Sequence, residues 1–339
     1  MRTLTRRAAL ALAATGIAVP LTAAALGNGS SAAPAADRAA VRATTSARAA
    51  VPTVEITPGG LDRGDAPSVP WAVEDVLHVG DTATTLPGYV TVLGRSDTAV
   101  IAYVAGRHTD RIIAVRDAGG RLLLDRVPGG QGAVVSEDGR LLFLRDNGDD
   151  SMIRVLATDD GHLVASRRIR GFHVPIGGTD EVVYLGGDGS TLAWTIGGGV
   201  QRIVKAGGDL VAPGADLLAT VSGQGDRMCT TVRQLSEPTQ VVWESCTERV
   251  VSIAPGGGRL LTTPVLFKPG GDRLAMRTTE GDLLARYRGP DSYFDRATWE
   301  DDATVLVRVS KGRRSAYVRC AAAECEQATG VAVAPPVSG

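Results

Sequence analysis

The sequence predicts an all-β fold, and three observations carry that prediction. Apolar residues come in short runs at strand spacing, without the three-and-four repeat of an amphipathic helix. Gly is abundant, at 42 residues, while aromatics supply only 4% of the chain. The runs are also paired around Gly-bearing hinges, as in Arg273–Tyr287, where Thr278-Thr279-Glu280-Gly281 separates two of them. With 339 residues and 44% hydrophobic content, there is ample material for a large core.

That hinge recurs. Residues 111–126 and 152–169 have the same form, which sets Gly120, Gly161 and Gly281 in register at intervals of 41 and 120 residues, three periods of 40. Weaker copies occupy 191–205 and 227–246, and a last one occupies 315–329. A further apolar run precedes each hairpin, at 99–106, 140–146, 181–187, 216–223, 259–265 and 304–310. Another short run, such as 132–136, comes before that, so each unit contains four strands. Four strands in about forty residues make a β-propeller blade. A β-sandwich, with turns every 8–12 residues, has no such super-period.

The N-terminal elements differ in kind. Residues 1–26 combine a basic start, an apolar stretch from Ala8 to Leu26 and small residues, the pattern of a secretory signal peptide. Arg6-Arg7 leaves both the Sec and the twin-arginine routes open, and an uncleaved anchor is the competitor. Residues 27–70 are rich in Ala, Ser, Thr and Pro and read as a flexible tether, with the propeller spanning 71–339. Six units lie between about Tyr89 and Gly330, leaving a hairpin at 74–88 and a run at 331–335. An open ring exposes sheet edges, so both termini are expected to build a shared seventh blade; a six-bladed ring is the alternative.

Charge narrows the class of partner. Residues 1–50 hold six Arg against Asp37, or +5, so the overall −1 leaves the body at −1 − 5 = −6. A mildly acidic body without a basic run excludes a nucleic-acid surface. Cys229 and Cys246 are symmetric about one hairpin turn, and Cys320 and Cys325 about another. Residues facing across antiparallel strands lie within disulfide range, and an exported chain meets oxidising conditions, so two bridges are expected. Metal binding is disfavoured, because no His lies near either pair.

The segment Lys268-Pro269-Gly270-Gly271-Asp272-Arg273-Leu274-Ala275 resembles the S-P-D-G-x-x-L-A cassette of WD40-like and TolB-type propellers, although it precedes a third strand instead of a second. Trp299-Glu300-Asp301-Asp302 and the Cys-bearing hairpin after it resemble the closing unit of secreted actinobacterial proteins of this type. The Trp-Asp and Gly-His marks of true WD40 blades are missing. The resemblance implies the propeller fold and specifies no ligand.

Chemistry is sparse. There is no G-x-S-x-G elbow, H-E-x-x-H or P-loop, and Asp-rich 145–151 lacks the calcium-loop frame and reads as a solvated turn. His78 and His162 read as structural. Propellers bind on the face made by the inter-blade loops and the second-to-third-strand turns. To that face the strand map assigns Arg170, Phe172 and His173, then Phe267 and Lys268, then Tyr293, Phe294 and Asp295 as ligand-binding candidates. His108 is the remaining aromatic-like residue on a loop. Aromatics on loops, in a chain with so few, point to recognition. The expectation is a secreted, non-catalytic module without cofactor that binds an extracellular protein, peptide or cell-wall component, and has no membrane attachment after signal cleavage. The alternative is a propeller hydrolase, lyase or lactonase with a metal or carboxylates in the channel.

Overall fold

The computed structural model describes residues 50–334 apart from 107–108, 118, 128–131, 147, 149, 224–226 and 266–270. In chain order the first strands are β1 (Thr53–Glu55), β2 (Trp71–Val73), β3 (Val76–Val79) and β4 (Thr82–Thr85). Blade 1 is β5 (Tyr89–Arg95), β6 (Ala99–Ala105), β7 (Asp110–Arg116) and β8 (Arg121–Val127). Blade 2 is β9 (Ala133–Val135), β10 (Leu141–Asp146), β11 (Ser151–Ala157) and β12 (Leu163–Ile169). Blade 3 is β13 (Val174–Gly178), β14 (Val182–Gly187), β15 (Ser190–Thr195) and β16 (Val200–Val204). Blade 4 is β17 (Gly207–Ala212), β18 (Leu217–Ser222), β19 (Cys229–Gln234) and β20 (Val241–Ser245). Blade 5 is β21 (Glu248–Ile253), β22 (Arg259–Pro264), β23 (Arg273–Thr278) and β24 (Leu283–Arg288). Blade 6 is β25 (Tyr293–Trp299), β26 (Thr304–Lys311), β27 (Arg314–Ala321) and β28 (Glu324–Gln327), followed by β29 (Ala332–Val333).

The protein is an all-β, seven-bladed propeller built on four-stranded blades, as the forty-residue period predicts. Each predicted hairpin is the outer pair of strands of a blade. The aligned hinge glycines work through φ: Gly161 and Gly281 lie at +79° and +97°, conformations open chiefly to glycine. In the first copy the left-handed residue is Gly119 (φ +83°), one position before the aligned Gly120.

Blades pack flank to flank, because alternation sends the side chains of each strand to both neighbours. Phe143, Ile153 and Val155 of blade 2 meet Val183, Leu185 and Trp194 of blade 3, and similar buried clusters join blades 7–1, 1–2, 4–5, 5–6 and 6–7. Between blades 3 and 4 backbone packs on backbone instead. A Cβ on Gly186 would collide with the carbonyl oxygen of Gly208.

Ring closure departs from expectation. The seventh blade is the three-stranded sheet β2–β3–β4, and the C-terminal run does not join it. β29 pairs antiparallel with β27 in blade 6, Arg314 facing Val333 and Ser315 facing Ala332. The reason is local. After β28 the chain makes a short excursion, held where the Tyr317 N–H donates to Thr329 Oγ1 (2.9 Å), and then continues along the same strand. That short closure costs less entropy than carrying the run to another blade.

The seam is bridged from the other terminus. β1 pairs parallel with β24 on the outer edge of blade 5, and Arg63 bridges in parallel to Gln327 on that of blade 6. Residues 50–68, expected to belong to the tether, therefore strap the outside of blades 5 and 6 before the chain enters blade 7. Ile56 of the strap is 1% exposed and packs beside Tyr287 and Phe294. Arg319 binds Glu300 and Glu326 and donates to the carbonyl oxygens of Asp65 (3.1 Å) and Ala66 (2.9 Å). Inside the seam, Tyr317 Oη donates to the carbonyl oxygen of Ala72 in blade 7 (3.0 Å).

Both disulfides form as read from hairpin symmetry, Cys229–Cys246 in blade 4 and Cys320–Cys325 in blade 6. They fit an oxidising compartment. Among the described residues no helix is long and apolar enough to cross a membrane.

Candidate functional site

Strands alternate in direction within a blade, so the inter-blade loops and the second-to-third-strand turns share one face. Arg170–His173 joins β12 to β13 there. Arg170 is exposed and Phe172 is 48% exposed, an unusual position for a large apolar ring. The ring is held in place. The guanidinium of the buried Arg145 lies 4.3 Å from its centroid, and the Phe172 N–H donates to Asp188 Oδ2 (2.5 Å). Ser151 Oγ ties the loop from beneath, accepting from the His173 N–H (2.8 Å) and Arg145 Nε (3.1 Å) and donating to the Gly171 carbonyl (3.0 Å). His173 itself is 5% exposed, with Nε2 3.3 Å from Ser190 Oγ, and supports the loop from inside.

Phe172 forms one wall of a hollow of about 610 Å³ over the junction of blades 3 and 4. Gly186, Gly187, Gly207 and Gly208 line it as well, and there Gly186 of blade 3 packs backbone to backbone on Gly208 of blade 4. On the far side Asp209 accepts from Arg249 Nε (2.8 Å) and Nη2 (2.5 Å). Lys205, at the rim, has no hydrogen-bond or ion-pair partner among the described residues. Such a wall and rim suit a chain segment that stacks an apolar group on the ring and meets polar groups at the edge.

The other candidates do not converge on it. Phe267 and Lys268, like His108, lie outside the described residues. Tyr293 is 42% exposed at the start of β25, whereas Phe294 is buried in the core of blades 5 and 6. Asp295 is a bulge residue whose side chain is only 23% exposed, although its backbone is open. Burial pushes its carboxyl up, opposed by Arg308 (3.7 Å) and by Ser310 Oγ, which donates to it (3.2 Å). Asp295 lines a separate cavity of about 250 Å³, beside Trp71 and Tyr317, where blade 7 lacks an inner strand. His78 stacks on Trp71 with centroids 3.7 Å apart, and burial lowers its pKa, in keeping with a packing role.

Sequence reasoning missed Asp188, Lys205, Asp209, Arg249 and the lining glycines. A signal was present: Gly-Gly-Asp occurs at 186–188 and again at 207–209, in consecutive blades. Asp209 is also a bulge residue, in β17, at the place Asp295 has in β25. A bulge re-aims one side chain, and nothing in the alternation pattern announces it. Asp159, Asp160 and His162 bring ligand atoms within 4.8 Å of one another on the opposite face, all exposed. The His162 backbone N–H donates to Asp160 (2.9 Å) and lowers its carboxyl, so hydrogen bonds within the turn account for the grouping.

No protein-family model and no curated protein matches the chain. Solved structures do. The β-propeller domain of the trilobed protease from Pyrococcus furiosus, described as having an open velcro topology, superposes with a TM-score of 0.57 at 11% identity, covering 75% of this chain and 86% of that one. A chain of the mitotic checkpoint complex gives 0.54 at 10% identity, covering 83% and 90%. BamB from Moraxella catarrhalis gives 0.44 at 12% identity, covering 74% and 94%. At these identities the likeness concerns the fold. The chain is a β-propeller protein, and its ring closes without a strand shared between the termini.

Proposed function

We propose that this protein is an exported, non-catalytic binding module that takes a segment of an extracytoplasmic protein or peptide at the hollow between blades 3 and 4. The observation that carries the reading is Phe172, an exposed ring held by Arg145 and Asp188 beside a glycine-lined space. Aromatic rings fixed before binding lose little entropy on contact and are frequent anchors of interfaces. Arg170 is an exposed residue of the same loop, and Tyr293 extends the loop face at blade 6. The two disulfides support an oxidising location, and an apolar leader at residues 8–26 supports export.

The test is photo-crosslinking in the native envelope, with a benzophenone amino acid at position 172. A control carries it at Leu163, equally exposed on the outer strand β12. A discrete adduct from position 172, absent at 163, is expected. Identical adduct patterns from both sites would dispose of the proposal. Mass spectrometry of the mature protein tests export separately, since the proposal needs a chain beginning near residue 27.

A further inference from the structure

A second, chemically different surface lies on blade 5, away from the hollow. In β23, Leu274 and Met276 pack toward blade 6, so Arg273, Ala275 and Arg277 occupy the opposite flank, where Arg277 approaches the Trp243 ring of blade 4 (6.0 Å). Strand register adds two more cations to this flank. Arg288 is directly opposite Arg273, and Arg286 is opposite Ala275. Together with Thr53, Thr262 and Glu248 they line a groove of about 340 Å³.

The acids present leave part of this charge unanswered. Glu248 is fully engaged, accepting from Arg277 Nε (2.8 Å) and Nη2 (2.6 Å) and from Thr262 Oγ1 (2.6 Å). Asp272 makes a long contact with Arg273 (3.7 Å). Glu55 is opposite Arg288 in the register of β1 but forms no ion pair with it. Neither Arg286 nor Arg288 donates a side-chain hydrogen bond to any described residue, and both are exposed. Like charges facing across a ladder are unfavourable, and Arg288 stands directly opposite Arg273.

We infer that this groove binds an extended acidic peptide segment with carboxylates on alternate residues. Arg286 and Arg288 are two residues apart on one strand, about 6–7 Å in projection, and alternate side chains of an extended peptide repeat at the same distance. The guanidinium fork accepts a carboxylate through two parallel hydrogen bonds. The surface is independent of the hollow between blades 3 and 4, so either reading can fail without the other.

Fluorescence anisotropy on the full folded protein tests it, with a labelled hexapeptide alternating Glu and Ser as probe. A peptide of the same composition in which no two Glu are on alternate residues, Glu-Glu-Ser-Ser-Glu-Ser, is the comparison. The alternating peptide is expected to bind about fivefold more tightly than this comparison peptide, the scale of losing one exposed charge pair. Arg286→Glu with Arg288→Glu abolishes its binding at an unchanged melting temperature. Arg286→Gln with Arg288→Gln serves the same purpose should charge reversal disturb folding. Equal binding of both peptides, retention of binding by the double variants, or tighter binding of polyphosphate than of the alternating peptide overturns the inference.

Discussion

Replacing Ile56 with Ala asks whether the N-terminal strap closes the ring. Ile56 is 1% exposed and packs into the cluster shared by blades 5 and 6, and its N–H donates to the Arg288 carbonyl (2.8 Å). Truncating a fully buried Ile to Ala costs about 2–5 kcal/mol through lost transfer energy and the cavity left behind. The strap has an escape, since residues 50–68 are able to peel off while the blades stay folded, and that caps the global cost near the lower end. An expected loss of about 2–3 kcal/mol lowers the melting temperature by roughly 3–5 °C in a body of this size. The strap also becomes protease-sensitive around Asp62 and Arg63. Scanning calorimetry and timed trypsin or Asp-N digestion followed by mass spectrometry read both effects. A variant with wild-type melting and wild-type cleavage would refute the closure argument, leaving the strap an ornament on a ring held by blade packing alone.

Two further outcomes follow from the same geometry. Burial alone would raise the Glu248 carboxyl, but the Arg277 and Thr262 hydrogen bonds outweigh it and hold the group below its ordinary value. A folded-state pKa that is depressed supplies stability above the unfolded value of about 4.3, lost as pH falls through the folded one. Glu248→Gln is therefore expected to flatten the acid limb of a melting-temperature profile between about pH 5 and 3, and an unaltered limb would contradict the assignment. Gly186→Ala places a Cβ against the backbone carbonyl of Gly208, where no flexible side chain is available to yield. Overpacking of this kind costs about 1–3 kcal/mol, and a melting temperature unchanged by the substitution would mean that blades 3 and 4 are not in backbone contact.

Much of the architecture was legible because it is written in short-range terms. Runs such as Ala99–Ala105 and Arg259–Pro264 alternate to both flanks, and turn glycines such as Gly161 adopt φ values that other residues resist. The cysteine pairs were legible for the same reason, since hairpin symmetry puts Cys320 opposite Cys325. The candidate site was legible only in part. Phe172 was found through its rarity on a loop, but His173 on the same loop faces inward, and Phe294, read as a loop residue, is a buried residue of strand β25. Composition does not report which side of a loop meets solvent.

The amino-acid order alone determined that this chain forms blades, where each begins, and which thiols meet, because those outcomes depend on neighbours within some forty residues. Only the tertiary structure decided how the circle closes and where the hollow lies. The run at 331–335 and the segment at 50–68 each had several exposed edges to pair with, and the choice among them rests on small differences in closure entropy and packing. Asp209 and Asp295 take their direction from bulges in the inner strands, and the close backbone approach of blades 3 and 4 beside the hollow joins glycines that are 22 residues apart, Gly186 and Gly208. Those are long-range facts, and no local pattern encodes them.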